Sequence, residues 1–147
     1  MSAGRAGVAI LAVLGCLSGC TPPGGTPVAP SGADPGYVLH ALPGWSPVAG
    51  LTLGHHVYLR PDQRTPFTLG HELVHVRQQE ASPARFWWTY LTSPHARLLL
   101  EAEAYAVHAR AGCPVEGDHG LAAYLSGPAY LWTGSRAEAQ EAILSFR

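Results

Sequence analysis

A chain of 147 residues with 13% charged and 47% hydrophobic positions and a formal net charge of -1 carries no electrostatic mark of a nucleic-acid partner. Lysine is absent, and the 9 basic residues are arginines spread thinly along the sequence. The same balance excludes an acidic tail and gives no sign of a strongly charged, electrostatically steered substrate.

The chain opens as a targeting segment. Arg5 precedes an apolar run over residues 8–17, too short to span a bilayer as a helix, which reads as a signal peptide. Leu17-Ser18-Gly19-Cys20 then resembles the bacterial lipoprotein signal. That resemblance implies cleavage before Cys20, acylation of its sulfur, and a protein exported and lipid-anchored on the periplasmic or cell-surface side of a bacterial membrane. Cys16 would be discarded and Cys20 acylated, leaving Cys113 as the single cysteine of the mature domain, a packed or idle thiol rather than a reactive one. Residues 20–36 are rich in Pro and Gly with almost nothing to bury, so they form a linker. Residues 37–147 then make one compact domain.

Residues 37–50 carry Trp45 among Pro and Gly and predict irregular structure against the core. Residues 51–60 are rich in strand formers and closed by Pro61-Asp62, which predicts a strand or hairpin. Its edge is suited to pairing with an extended peptide. His55 and His56 are adjacent in that strand and point to opposite faces, which favours surface positions over metal ligation.

The stretch from Thr65 to Gln79 is the chemical centre. Thr65 is a good N-cap, Pro66 fits the first helical position, and Leu69, Leu73 and Val76 recur at helical spacing until Ser82-Pro83 stops the run. Two residues four apart on such a helix stand on one face, so His71 and His75 offer a bidentate seat for one metal ion. Zinc is the expected ion, because imidazole suits its tetrahedral shell and two such ligands leave room for a third protein group and a water. Glu72 lies about 100° round the helix from His71, placed to reach that water as a general base.

Ser82-Pro83 and Ser93-Pro94 repeat the cap-then-proline grammar and open helices over 84–91 and 94–111, the second stopping at Gly112-Cys113-Pro114. Phe86, Trp87, Trp88 and Tyr90 predict a core cluster. Glu101 and Glu103 sit in an apolar stretch where an unpartnered carboxylate is costly. Glu101, Ala104, Tyr105 and His108 share one face, and the small Ala104 lets this helix approach the His71/His75 helix, which makes Glu101 the expected third ligand. Glu103 competes for that role but points about 160° away, as a solvated carboxylate does. His108 and Tyr90 are candidates to stabilise an oxyanion, with ordinary packing as the competing explanation. A short helix is expected from Asp118, and Ser135 with Glu138 forms a capping box for a last helix.

His-Glu-Leu-Val-His-Val-Arg-Gln-Gln, followed by Glu101-Ala102-Glu103-Ala104-Tyr105, resembles small bacterial zinc metallopeptidases of the gluzincin kind. The resemblance covers roughly residues 51–111 and implies His71, His75 and Glu101 on zinc with Glu72 as base. Tyr105 stands where those enzymes often carry an aspartate or asparagine, and the third histidine of the metzincins is missing. The expectation is therefore an α+β, mostly helical, minimal zincin-like domain that hydrolyses peptide bonds in a protein or peptide outside the cytoplasm. The competing expectation is a non-catalytic lipid-anchored binding module with a structural or relic zinc site. Hydrolysis of a cell-wall amide is a further alternative.

Overall fold

A computed structural model of the chain describes residues 36–131 and 133–147. The segment expected to be a signal peptide, Cys20 and most of the expected linker lie outside them. Among the described residues the architecture is mixed α+β and mostly helical, with a three-stranded sheet followed by five helices. The strands are β1 (Val38–Ala41), β2 (Gly50–Leu53) and β3 (His56–Leu59), arranged in the order β1-β3-β2. Strands β2 and β3 form the expected hairpin, turned at Gly54, whose φ of +58° suits a residue without Cβ. Strand β1 lies in the segment expected to be irregular and pairs parallel to β3, Val38 with His56 through Ala41 with Leu59.

The helices are α1 (Pro66–Glu80), α2 (Pro83–Thr92), α3 (Pro94–Arg110), α4 (Leu121–Leu125) and α5 (Arg136–Ser145). Four starts are capped as the sequence demands. The hydroxyls of Thr65, Ser82, Ser93 and Ser135 accept from the backbone N–H of Thr68, Arg85, Ala96 and Glu138, and Glu138 completes its box on the Ser135 N–H. Helix α4 starts later than expected, at Leu121, and Asp118 pairs with the Arg136 guanidinium at 2.8 Å instead of capping it.

Two apolar layers hold these elements. Leu73 and Val76 of α1 pack on Val57 and Leu59 of the sheet, while Leu98, Tyr105, Leu121, Leu125 and Ile143 fill the space among α3, α4 and α5. Between α1 and α3 the contact is made by Val74, Ala104 and Val107, with Gly70 directly against Val107. The small Ala104 and Gly70 let the two helices approach closely. The aromatic cluster of α2 divides: Phe86 and Tyr90 are buried, whereas Trp88 is 72% exposed. Helical spacing explains this, since residues 86 and 90 share a face that residue 88 does not. Cys113 is buried and disulfide-bonded in the full-length chain, whereas the solitary thiol is expected of the processed one.

Candidate metal centre

Helix α1 presents His71 and His75 with their Nε2 atoms 3.2 Å apart. Helix α3 brings Glu101 to the same point, Oε2 3.4 Å from His71 Nε2 and Oε1 3.6 Å from His75 Nε2. The three ligand atoms lie within 4.8 Å of one another, and all three residues are buried. Glu101 Oε1 accepts a 2.7 Å hydrogen bond from the Tyr90 hydroxyl of α2, while Oε2 is buried with no hydrogen-bond partner among the described residues. A desolvated carboxylate oxygen facing two imidazole nitrogens is a cation site by its chemistry, because burying that charge alone is expensive. Glu103 does not enter the group, and the described residues bring no fourth His, Cys, Asp or Glu into it.

Without a metal the charges settle among the ligands themselves. Burial acts to lower the His75 pKa, but the adjacent Glu101 carboxylate outweighs it and lifts His75 to about 9. For Glu101, burial opposes ionisation, and the two imidazoles hold the carboxyl well below the usual carboxylate range. At neutral pH His75 therefore carries a proton that a metal must displace. Metal uptake at pH 7 is expected to release about one proton per chain, and affinity to rise about tenfold per pH unit below pH 9. Calorimetric titration in buffers of different ionisation enthalpy checks this, and a pH-independent affinity would contradict it.

Sequence reasoning missed the support beneath the ligands. The Gln78 side-chain Oε1 lies 2.8 Å from His75 Nδ1, and its Nε2 donates to Glu103 Oε2 at 2.8 Å and to the Leu100 carbonyl at 3.0 Å. With His75 Nδ1–H donating to Gln78, the Nε2 lone pair is left for the metal. Glu103 is thus half-buried and anchors Gln78, correcting its expectation as a solvated carboxylate. The signal was present, because Gln78 is three residues after His75 on one helix face. Among the described residues His71 has no such partner at Nδ1, and Tyr105 meets it only ring to ring, at 4.7 Å, with the Tyr105 hydroxyl committed to Tyr130.

Glu72 is 6% exposed and faces β2. Thr52 Oγ1 donates to its Oε2 at 2.6 Å, and Gly50 lies so close that any Cβ there would collide with the carboxylate. Gln79, fully buried, holds that strand in place: its Nε2 donates to the Thr52 carbonyl at 3.0 Å and its Oε1 accepts from the Gly54 N–H at 2.8 Å. The Arg60 N–H bonds the Ala49 carbonyl, so by alternation the peptide groups of Gly50 and Thr52 point away from β3, along the outer edge of the sheet. Gly50→Ala is expected to push the Glu72 carboxylate aside. If Glu72 acts as a base, hydrolysis falls on the order of 10²-fold while metal content is unchanged. Full activity in Gly50→Ala would show that the carboxylate position is not critical.

The remaining candidates fall outside the group. His108 is buried with its ring 5.7 Å from that of His71, and burial, with His71 beside it, lowers its pKa to about 3, so it is a neutral imidazole at the flank of the site. Tyr90 serves Glu101 rather than an open cavity. His55, in the hairpin turn, and His56, at the start of β3, are both exposed, as expected. Scans against models of known protein families, curated proteins and solved structures find no match to this chain.

Proposed function

We propose that this chain is a zinc-dependent peptidase of minimal zincin-like architecture, with His71, His75 and Glu101 as ligands and Glu72 as general base. The observation that carries the reading is the convergence of those three buried ligands from α1 and α3, with Glu72 held next to them by β2. Zinc fits the donor set: with metal–nitrogen bonds of about 2.0–2.1 Å, a tetrahedral angle separates two nitrogens by about 3.3 Å, and the two Nε2 atoms are 3.2 Å apart. Bound there, zinc supplies Lewis acidity toward a water and the scissile carbonyl.

The chain's own groups do the rest. Glu72 takes the proton of the attacking water and hands it to the leaving amine. Thr52 fixes which carboxylate oxygen is available, and Gln78 keeps the His75 ring in register. The outward peptide groups of Gly50 and the outward N–H of Thr52, whose carbonyl already accepts from Gln79, offer the hydrogen bonds that align an extended substrate beside Glu72. A protein or peptide outside the cytoplasm is the proposed substrate.

We also propose the lipid anchor at Cys20. Acylation turns its sulfur into a thioether and cleavage removes Cys16, so the anchor and a disulfide at Cys113 are alternatives. Mass spectrometry of membrane-extracted protein is expected to find the lipid.

The second reading is a non-catalytic binding module with a structural or relic zinc site. Burial favours it, since His71, Glu72, His75 and Glu101 are each 8% exposed or less. Chelation tests the enzyme directly. About one zinc per chain is expected; removing it should abolish cleavage of an unstructured protein, and zinc alone should restore it. Cleavage that survives complete zinc removal would overturn the peptidase.

A further inference from the structure

The sheet carries a second pair of imidazoles on the face turned away from α1. Val57 and Leu59 of β3 point into the core, so His56 and Tyr58 point outward by the period-2 rule, and His40 of β1 lies opposite Tyr58 in the parallel ladder. His40 stacks on the Tyr58 ring at 4.6 Å and 18°, which fixes its plane. Its Nε2 then lies 2.9 Å from His56 Nδ1. Neither residue belongs to the His71/His75/Glu101 group.

We propose that His40 and His56 form a second metal site, open to solvent, for a divalent ion of tetragonal preference, copper(II) first and nickel(II) next. The donor chemistry argues for that class, and the spacing is compatible with it. With metal–nitrogen bonds of about 2.05 Å, a right angle between ligands separates the nitrogens by about 2.9 Å and a tetrahedral angle by about 3.3 Å. The surface pair stands 2.9 Å apart because the two rings share a hydrogen bond, and a metal that replaces the shared proton at a right angle leaves their separation unchanged. Two imidazoles with water completing the square is a donor set copper(II) favours, and copper(II) stands highest in divalent affinity for such ligands. The proton now shared between the rings moves to the other nitrogen of its own imidazole, and the metal takes its place.

The consequence is a clip between strands. Strand β1 is an outer strand of four residues, held by a parallel ladder to β3 alone. A metal bridging His40 and His56 ties it to β3 where the domain begins.

The test uses the full chain carrying Glu101→Gln, which cripples the buried site, titrated with copper(II) chloride against a competing chelator and read by electron paramagnetic resonance. A tetragonal spectrum with two equatorial imidazole nitrogens is expected. Adding His40→Asn or His56→Asn should weaken that copper more than about tenfold, while His95→Asn and His119→Asn, at exposed histidines elsewhere, should not. Copper retained by both His40→Asn and His56→Asn, or weakened equally by His95→Asn, overturns the site. Should Glu101→Gln fail to fold, zinc-loaded parent and zinc-loaded His40→Asn give the same comparison. The outcome is independent of peptidase activity, so either proposal can fail alone.

Discussion

Glu101→Gln is expected to strip the metal from the protein, lowering zinc affinity by more than about 100-fold, whereas Glu103→Gln costs no more than about tenfold. Both carboxylates lie on α3 two residues apart, and both are engaged with α1. Only Glu101 faces the imidazole nitrogens, with an oxygen that no hydrogen bond from the described residues satisfies. Glu103 reaches the metal through Gln78 and then His75, so its loss loosens one ring without removing a donor. The amide of Glu101→Gln keeps the size of the side chain and an oxygen for the Tyr90 hydroxyl, so the fold should survive. Competition with a zinc-chelating dye measures both affinities, and circular dichroism confirms folding. Equal losses in the two variants would mean that α3 can present either carboxylate, and the assignment of Glu101 would fall.

The parts of this site that were legible in the sequence are those set by one helix at a time. Thr65 and Pro66 announced where α1 begins, and the four-residue step from His71 to His75 fixed one face without reference to anything else. Glu101 was within reach because α3 has a single face that is both small and polar, with Ala104 beside it. What stayed hidden depends on groups distant in sequence. Strand β1 exists because the β2–β3 hairpin offers it a parallel edge, a pairing that no local pattern in residues 38–41 reveals. Gly50 reads as one more turn residue until Glu72 is packed against it. Gln78 and Gln79 look alike in sequence, yet adjacent positions on a helix point about 100° apart. One supports a ligand from α1 toward α3, and the other fastens α1 to β2.

Glu72→Gln is expected to keep about one zinc per chain and to lower hydrolysis of an unstructured protein by about 10²–10⁴-fold, the usual contribution of a positioned general base. The variant isolates proton transfer from placement. Glutamine has nearly the shape of glutamate, so it still fits against Gly50, and its oxygen still accepts from Thr52 Oγ1. What it lacks at neutral pH is the ability to take a proton from water. Thr52→Val makes the complementary change, keeping the carboxylate and removing the donor that orients it, and should show a smaller loss of about tenfold. Metal analysis beside both rate measurements separates the two readings of the chain. A peptidase predicts unchanged zinc with Glu72→Gln far below Thr52→Val. A binding module predicts unchanged zinc with no hydrolysis in the parent to lose, and in that case Glu72 is a carboxylate whose work is to accept the Thr52 hydroxyl and tie α1 to β2. Thermal unfolding then carries the signal instead: Thr52→Val, which leaves a buried carboxylate oxygen unsatisfied, would lower stability by about 1–3 kcal/mol, while Glu72→Gln, which keeps the bond, would not.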